Sequence, residues 1–348
     1  MPAETDDLPT PEPKRFGWKT GVAIMLVTSL LVFSVAEYLT RRNLLGEFEN
    51  TAARFTGSFF VLQPEQDYEY SLQPGLSSAT AAPRGHPWNY AINSEGFRGP
   101  EFPPKQTGRF RILFLGDSYT FGWGVDQDRI FPIQLLTLLN ESATNRVFEG
   151  INLAVPGYNT EMELALLRER IDSLKPDLVF LGYVYNDAEP QQAAPMHPAR
   201  RYQFCTSWFL EQLRSAANSA MGTPLFDSRK FEGTFDVVKS FAAGSWKWPR
   251  SKAALIEMSE LCGTQNVPLF VSILPGFEAG FEDHTYAPIH RMVGEWCRVA
   301  MIKHLDLLPA MKGLDARQLM LEGDGHPNAA GHAIIAGKLL ESIRSFGD

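Results

Sequence analysis

The sequence predicts an α/β protein with a central parallel sheet that is covered by helices on both faces. Short apolar runs alternate along the chain with segments of helical periodicity, and this alternation is typical of parallel sheets built from βαβ units. Within the runs, apolar residues follow one another instead of occupying every second position, which indicates strands buried on both faces. At 348 residues, of which 44% are hydrophobic, the chain is long enough for one large domain with further segments.

Four strands and four helices make up the predicted alternation. The strands are predicted at Arg111–Leu115, Val147–Leu153, Asp177–Val184 and Val267–Leu274. The helices are predicted at Gln134–Leu139, Thr160–Leu174, Ile289–Lys303 and Ala329–Ser345. Pro176 stops the second helix, because proline lacks the N–H that a continuing helix would need.

Residues 41–108 show a weaker pattern and are predicted to be a membrane-proximal segment that packs on the main domain. Within them, Leu44–Phe60 is predicted as a helix and Tyr68–Leu72 as an edge strand. A stretch dense in aromatic and turn-forming residues, 88–98, allows two interpretations. It is either a hairpin packed on the domain edge or a segment that supplies a polar side chain, Asn93 or Arg98, to a substrate groove.

The main domain, predicted at residues 109–348, contains one long insertion. Residues 188–248 follow the third strand, contain several aromatic residues and show no clean strand pattern. Segments of this length without their own secondary structure are commonly lids or binding loops. We therefore predict a lid-like insertion above the carboxyl end of the sheet.

The N-terminus contains one segment that is apolar enough to cross a membrane. Thr20–Ala36 is an uncharged run of 17 residues with aromatic flanks and basic residues before it. With these flanks, residues 16–40 reach the roughly 20 residues that a bilayer requires. We expect a single-pass signal anchor after a short disordered tail, residues 1–15, with the catalytic domain outside the cytoplasm. A signal peptide cleaved after Ser34–Ala36 and a buried core helix are the alternatives.

Charge and cysteine content exclude several classes of protein. The net charge is −8 and no run of Lys or Arg is longer than two, so the basic patch of a nucleic-acid-binding surface is missing. The three cysteines, Cys205, Cys262 and Cys297, are widely spaced and odd in number. A disulfide-dense scaffold is therefore excluded, and buried thiols are expected. Neither the cysteines nor the histidines show metal-ligand spacing.

Candidate site residues follow the predicted strands at the sheet edge where α/β proteins bind ligands. Ser118, Gly157 and Asn186 follow the first three strands, and a later loop carries Asp324 and His326. Acyl transfer requires a nucleophile, a base, a group that orients the base, and donors for an oxyanion. We assign these roles to Ser118, His326 and Asp324. The oxyanion hole would consist of the backbone N–H groups of Ser118 and Gly157 and the side-chain amide of Asn186.

Each of these residues also has a simpler structural interpretation. Ser118 can be a turn residue that bonds the following backbone, and His326 a surface histidine before a helix. Gly157 can be a helix-entry glycine, Asn186 a brace for its loop, and Asp324 a turn residue. Asp117 and Asp187 are expected to hold loops by accepting hydrogen bonds from backbone N–H groups.

Four sequence blocks resemble those of the SGNH (GDSL-like) hydrolase family, in the family's order. They are Gly116-Asp117-Ser118-Tyr119, Gly157, Asn186-Asp187 and Asp324-Gly325-His326-Pro327-Asn328. The resemblance covers roughly residues 109–348. It implies a flavodoxin-like three-layer α/β/α fold. It also implies serine esterase chemistry on lipids, thioesters or acylated sugars, without a metal or a cofactor.

Two positions depart from the family's pattern. Only Gly325 separates Asp324 from His326, where the usual block has two residues, although a shorter version resembles that of some membrane-linked and polysaccharide-acetylating relatives. The orienting role is assigned to Asp324, and Glu322 is the alternative carboxylate in this loop. Tyr119 stands where the family has Leu and is expected to line the acyl site.

The sequence thus predicts a membrane-anchored serine esterase that acts on an ester-bearing glycan or lipid of the cell envelope. One alternative is an O-acyltransferase that passes an acetyl group to a polysaccharide, because the first half-reaction and its residues are the same. A second alternative is a catalytically silent module that keeps the fold to bind a carbohydrate or a partner.

Overall fold

The computed structural model describes most of the chain and divides it into two units. The described residues are 17–55, 59–63, 66–77, 88–142, 146–189, 207–210, 212–213, 216 and 240–347. The first unit contains residues 1–47 and 198–226, and the second contains residues 48–197 and 227–348. The predicted disordered tail, 1–15, and most of the predicted lid-like insertion, 188–248, lie outside the described residues.

The described strands form one antiparallel pair and one five-stranded parallel sheet. The pair consists of β1 (Phe60–Leu62) and β2 (Tyr70–Leu72). The sheet consists of β3 (Arg109–Gly116), β4 (Val147–Asn152), β5 (Leu178–Tyr183), β6 (Leu269–Ile273) and β7 (Lys303–Asp306). Its order is β4-β3-β5-β6-β7, with all neighbours parallel. This is the flavodoxin-like order of doubly wound sheets, so the predicted fold class is confirmed.

Helices cover the sheet on both faces. The described helices are α1 (Trp18–Phe55), α2 (Ser118–Phe121), α3 (Phe131–Ser142), α4 (Thr160–Leu174), α5 (Lys247–Thr264), α6 (Ala287–Val299), α7 (Leu308–Met311), α8 (Ala316–Leu319) and α9 (Ala329–Gly347). Short 3-10 turns occupy Gln127–Arg129 and Phe277–Ala279.

Successive strand residues point to opposite faces of the sheet and fill two separate apolar cores. On one face, Phe114, Phe180 and Phe270 lie side by side in register on β3, β5 and β6. Their ring centroids are 5.4 and 6.0 Å apart, and α3 and α9 pack over them. On the other face, Leu113 and Leu181 pack with α4, α5 and α6. The continuous apolar runs of the sequence are explained by this two-sided burial.

The structure corrects the predicted helix at Ile289–Lys303. The helix ends at Val299, and Lys303 instead begins β7. Met301 turns the chain between them with a φ of +57°. No Gly or Pro marks this turn, and β7 is a four-residue edge strand, so the sequence carries neither a stop signal nor an apolar run there.

Helix α5 is absent from the predicted set. Leu255, Met258 and Cys262 are buried along one of its faces, with the spacing of an amphipathic helix. The helix begins at Lys247, inside the predicted insertion 188–248. In the sequence prediction, the start of its amphipathic pattern is therefore assigned to the insertion.

Helix α1 is the one described helix that is long and apolar enough to cross a membrane. Its portion Trp18–Glu47 has a mean hydropathy of 2.1, and its most apolar window is not buried. Near the end of the apolar run, Glu37 accepts hydrogen bonds from the backbone N–H groups of Trp208 and Phe209, at 3.1 and 2.9 Å. The described part of the insertion therefore contacts α1.

The aromatic segment 88–98 forms a tight turn on the edge of the main unit. Ile92 and Arg98 form an antiparallel bridge, and Asn93 Oδ1 accepts hydrogen bonds from two backbone N–H groups inside the turn. Arg98 is buried and donates to three carbonyl oxygens at the end of α2 and in the loop that follows it, those of Phe121, Gly122 and Val125. These contacts favour the packed hairpin over the substrate groove. They also fix the loop that follows Ser118.

Candidate active site

The end of β3 determines where Ser118 lies. Gly116 has a φ of +149°, and a Cβ at this position would lie 2.3 Å from Thr120 Oγ1, so the tight turn requires glycine. Asp117 then caps α2, because its Oδ1 accepts the backbone N–H of Tyr119 at 2.9 Å. Ser118 is the first residue of α2 and lies just beyond the carboxyl end of β3. The predicted loop-holding role of Asp117 is confirmed.

The hydroxyl of Ser118 lies within hydrogen-bond distance of the imidazole of His326. Ser118 Oγ lies 2.6 Å from His326 Nε2, and both side chains are partly exposed. A backbone hydrogen bond anchors His326, since its carbonyl accepts the N–H of Leu321 at 2.9 Å. Two residues further, Asn328 caps α9 through its side-chain oxygen. A serine this close to an imidazole nitrogen can pass its proton to that nitrogen.

The carboxylate of Asp324 contacts the other nitrogen of the same ring. Its Oδ1 hydrogen-bonds His326 Nδ1 and also accepts the backbone N–H of His326 at 3.2 Å. A carboxylate on Nδ1 favours the tautomer whose Nε2 is unprotonated and can accept a proton from serine. The shortened spacing therefore allows the contact, while Glu322 is exposed.

Asn186 joins this cluster through Asp117. Its Nδ2 donates to Asp117 Oδ2 at 3.2 Å, and Ser118 Oγ lies 3.4 Å from the same oxygen. Burial raises the pKa of the Asp117 carboxyl, while the Tyr119 N–H and the charge of His326 oppose the shift. The structure thus brings Ser118, Asn186, Asp324 and His326 into one continuous set of contacts through Asp117.

Gly157 lies in the turn after β4, with a φ of +82°. The hydroxyl of Tyr70 fixes this turn by donating to the carbonyl of Pro156 at 2.8 Å. The described contacts do not link Gly157 directly to Ser118 or Asn186. Its share in an oxyanion hole stays a prediction.

Two fully buried carboxyl groups lie behind the Asn186 loop. In the described part of the chain, no oxygen of the Glu163 or Asp187 carboxyl has a hydrogen-bond partner, which departs from the prediction that Asp187 holds its loop through backbone N–H groups. Burial raises the pKa of both carboxyls well above the ordinary range. The charge of Glu163 and then that of Asp117 raise the pKa of Asp187 further, and the charge of Asp117 also raises the pKa of Glu163. Both groups therefore favour the protonated form in the folded protein.

Tyr119 does not line an open acyl site. Its ring is 4% exposed, and its hydroxyl donates to the carbonyl of Gly325 at 3.0 Å. The same hydroxyl lies 3.4 Å from Glu278 Oε2. Sequence reasoning did not single out Glu278, although it follows β6 at the carboxyl edge of the sheet, which is the one signal that could have indicated it.

Two of the three thiols are described, and both are structural. Cys262 and Cys297 are buried and unpaired, and burial raises the pKa of each to about 12. Cys205 lies outside the described residues. Within the residues that the structure covers, no three His, Cys, Asp or Glu side chains are arranged to hold a metal ion.

Comparison with known proteins identifies the class. Residues 114–334 match the model of the GDSL-like lipase/acylhydrolase family, which spans more than half of the chain. The chain therefore belongs to the GDSL-like lipase/acylhydrolase family, and the family predicted from the sequence is confirmed.

Solved structures with a similar fold come from several bacteria. A lipase/acylhydrolase from Enterococcus faecalis is 15% identical with a TM-score of 0.44, over 68% of this chain and 96% of that one. A GDSL-like lipase from Bacteroides thetaiotaomicron is 16% identical with a TM-score of 0.42, over 70% and 92%. A catalytic mutant of an acetylxylan esterase from Geobacillus stearothermophilus is 15% identical with a TM-score of 0.42, over 67% and 94%. No curated protein matches the sequence.

Proposed function

We propose that the protein is a serine esterase whose nucleophile is Ser118. The observation that carries this proposal is the continuous row formed by the hydroxyl of Ser118, the imidazole of His326 and the carboxylate of Asp324. Membership of the acylhydrolase family supports the same chemistry.

The reaction follows from this row. Ser118 Oγ attacks the ester carbonyl while its proton moves to His326 Nε2, and Asp324 stabilises the imidazolium that forms. The carbon–oxygen bond to the alcohol then breaks, and the alcohol leaves with the proton from His326. A water molecule gives a proton to His326 and attacks the acyl-enzyme. Release of the carboxylic acid returns the hydroxyl to Ser118.

Donors for the oxyanion would come from three places. An amide NH2 group has two N–H bonds, so Asn186 retains one after it has donated to Asp117. The backbone N–H groups of Ser118 and Gly157 would complete the set. Such donors act on the charge that develops in the transition state.

The substrate we propose is an acyl ester on a glycan or a lipid close to a membrane. Helix α1 has the length and the hydropathy of a membrane span, and residues 16–40 would serve as a single-pass signal anchor. The catalytic domain would lie outside the cytoplasm, where envelope glycans and lipids are within reach.

Ester turnover by the full-length protein in detergent tests this function. We expect release of acid from small acetyl esters and from acetylated oligosaccharides, and loss of that release in Ser118→Ala. Adding an unacylated oligosaccharide distinguishes the acceptors, because transfer to the sugar in place of acid release would identify an acyltransferase. Absence of turnover on a broad ester panel by folded wild-type protein would contradict the proposal and favour a binding module.

A further inference from the structure

The two positions that depart from the family's sequence pattern are in contact in the structure. Tyr119 replaces a leucine, and Gly325 is the single residue left between Asp324 and His326. The hydroxyl of Tyr119 donates to the carbonyl of this same Gly325 at 3.0 Å. A leucine could make no such bond. The aromatic ring also lies beside the imidazole of His326, with 5.1 Å between the centroids.

Glu278 packs against the same loop. A Cβ on Gly325 would lie 2.8 Å from Glu278 Oε2 and 3.0 Å from Glu278 Cβ, so the glycine packs directly against this side chain. The carboxylate also lies 3.4 Å from the hydroxyl of Tyr119. Gly325 thus contacts both the phenol of Tyr119 and the side chain of Glu278.

We infer that Tyr119 and Glu278 are positioning residues that hold the shortened Asp324–His326 loop in the geometry required by the imidazole. This inference rests on the proposed function. The loop has one residue fewer than the family's usual block. Fewer backbone torsions are therefore available to bring the carboxylate of Asp324 into contact with the imidazole of His326. The hydrogen bond to the Gly325 carbonyl and the packing of Glu278 fix the residue between them. Small displacements of a catalytic group can cost about 100-fold in rate.

The test compares Tyr119→Phe with a matched control in the full-length protein. Tyr68→Phe is the control, because Tyr68 is also buried and donates its hydroxyl to a carboxylate, that of Glu169 at 2.7 Å. We expect Tyr119→Phe to lower kcat and the rate of fluorophosphonate labelling by about 10- to 100-fold. KM should stay within about twofold, and the melting temperature should match that of Tyr68→Phe, since each variant loses one buried hydroxyl.

Two variants of Glu278 distinguish the packing of its side chain from the effect of its charge. Glu278→Gln keeps the shape of the side chain and an acceptor oxygen, so it should retain most of the labelling rate. Glu278→Ala removes the packing against Gly325 and should lose as much rate as Tyr119→Phe.

A spectroscopic measurement makes the inference independent of activity. The Nδ1 proton of His326, shared with Asp324, should give a downfield proton resonance in wild type that broadens or disappears in Tyr119→Phe. If wild type fails to label, the proposed function fails, and this resonance still tests the positioning. A wild type without the resonance, or a Tyr119→Phe variant that equals Tyr68→Phe in resonance and in any measurable rate, would overturn the inference.

Discussion

At the residue scale, Asp324 explains how a shortened motif can still support a histidine. One carboxylate oxygen bonds both Nδ1 and the backbone N–H of His326, so the side chain folds back onto the ring two positions ahead. A longer spacing is not needed for this contact. The sequence predicted the residue types and their order, but it left the role of Asp324 open because local spacing does not reveal such a fold-back.

Replacement of Asp324 by Asn tests this arrangement. Asp324→Asn should lower kcat by about 10²- to 10⁴-fold, because the amide no longer favours the required tautomer and no longer stabilises the imidazolium. Steady-state ester hydrolysis measures the effect. The control is Glu322→Gln in the same loop, whose side chain is exposed and whose kcat should change less than about twofold. Equal losses in the two variants would show that loop stability, and not Asp324 itself, determines the rate.

At the scale of elements, α4 and the end of β5 bring two acids together behind the candidate site. Glu163 comes from the first turn of α4, and Asp187 immediately follows Asn186. Buried carboxyls without hydrogen-bond partners favour the protonated state. The unfolded chain ionises them near their ordinary pKa of about 4, whereas the folded pKa of each is raised. Their stabilising contribution is complete below the unfolded pKa and is lost as pH rises through the folded pKa.

Glu163→Gln should therefore stabilise the protein more at high pH than at low pH. The amide has the shape of the protonated acid and cannot ionise. We expect its melting temperature to exceed that of wild type by a few degrees at pH 8, where 1 kcal/mol corresponds to about 2–4 °C in a domain of this size. The gain should shrink towards pH 5. Glu161→Gln, at a partly exposed position in the same turn, should show no such trend. A gain that is constant between pH 5 and pH 8 would contradict the raised pKa.

At the scale of the whole molecule, the order of the motifs along the chain was enough to predict four of the five strands of the sheet and the edge at which the candidate site lies. Strand–helix alternation permits few topologies, and the carboxyl ends of parallel strands meet at one edge. Ser118 and Asn186 therefore came together as expected. Strand β7 could not be predicted, because an edge strand of four residues with partial exposure leaves no periodic signal.

The contacts around Gly325 were equally beyond sequence reasoning. Tyr119 lies 206 positions from Gly325 and 159 positions from Glu278, and only the folded sheet brings them together. From the local sequence alone, a tyrosine in place of leucine indicates only a different side chain in the lining of an acyl site. In the structure the tyrosine is buried and bonds a backbone carbonyl, so tertiary packing decides its role.

The central claim, that His326 activates Ser118, is tested most directly by fluorophosphonate labelling of the full-length protein. Wild type is compared with Ser118→Ala and His326→Ala, each shown by circular dichroism to be folded. A serine hydroxyl 2.6 Å from an imidazole nitrogen should react in wild type, and neither variant should be labelled appreciably. Labelling of Ser118→Ala, or an unlabelled wild type that is folded, would contradict the account.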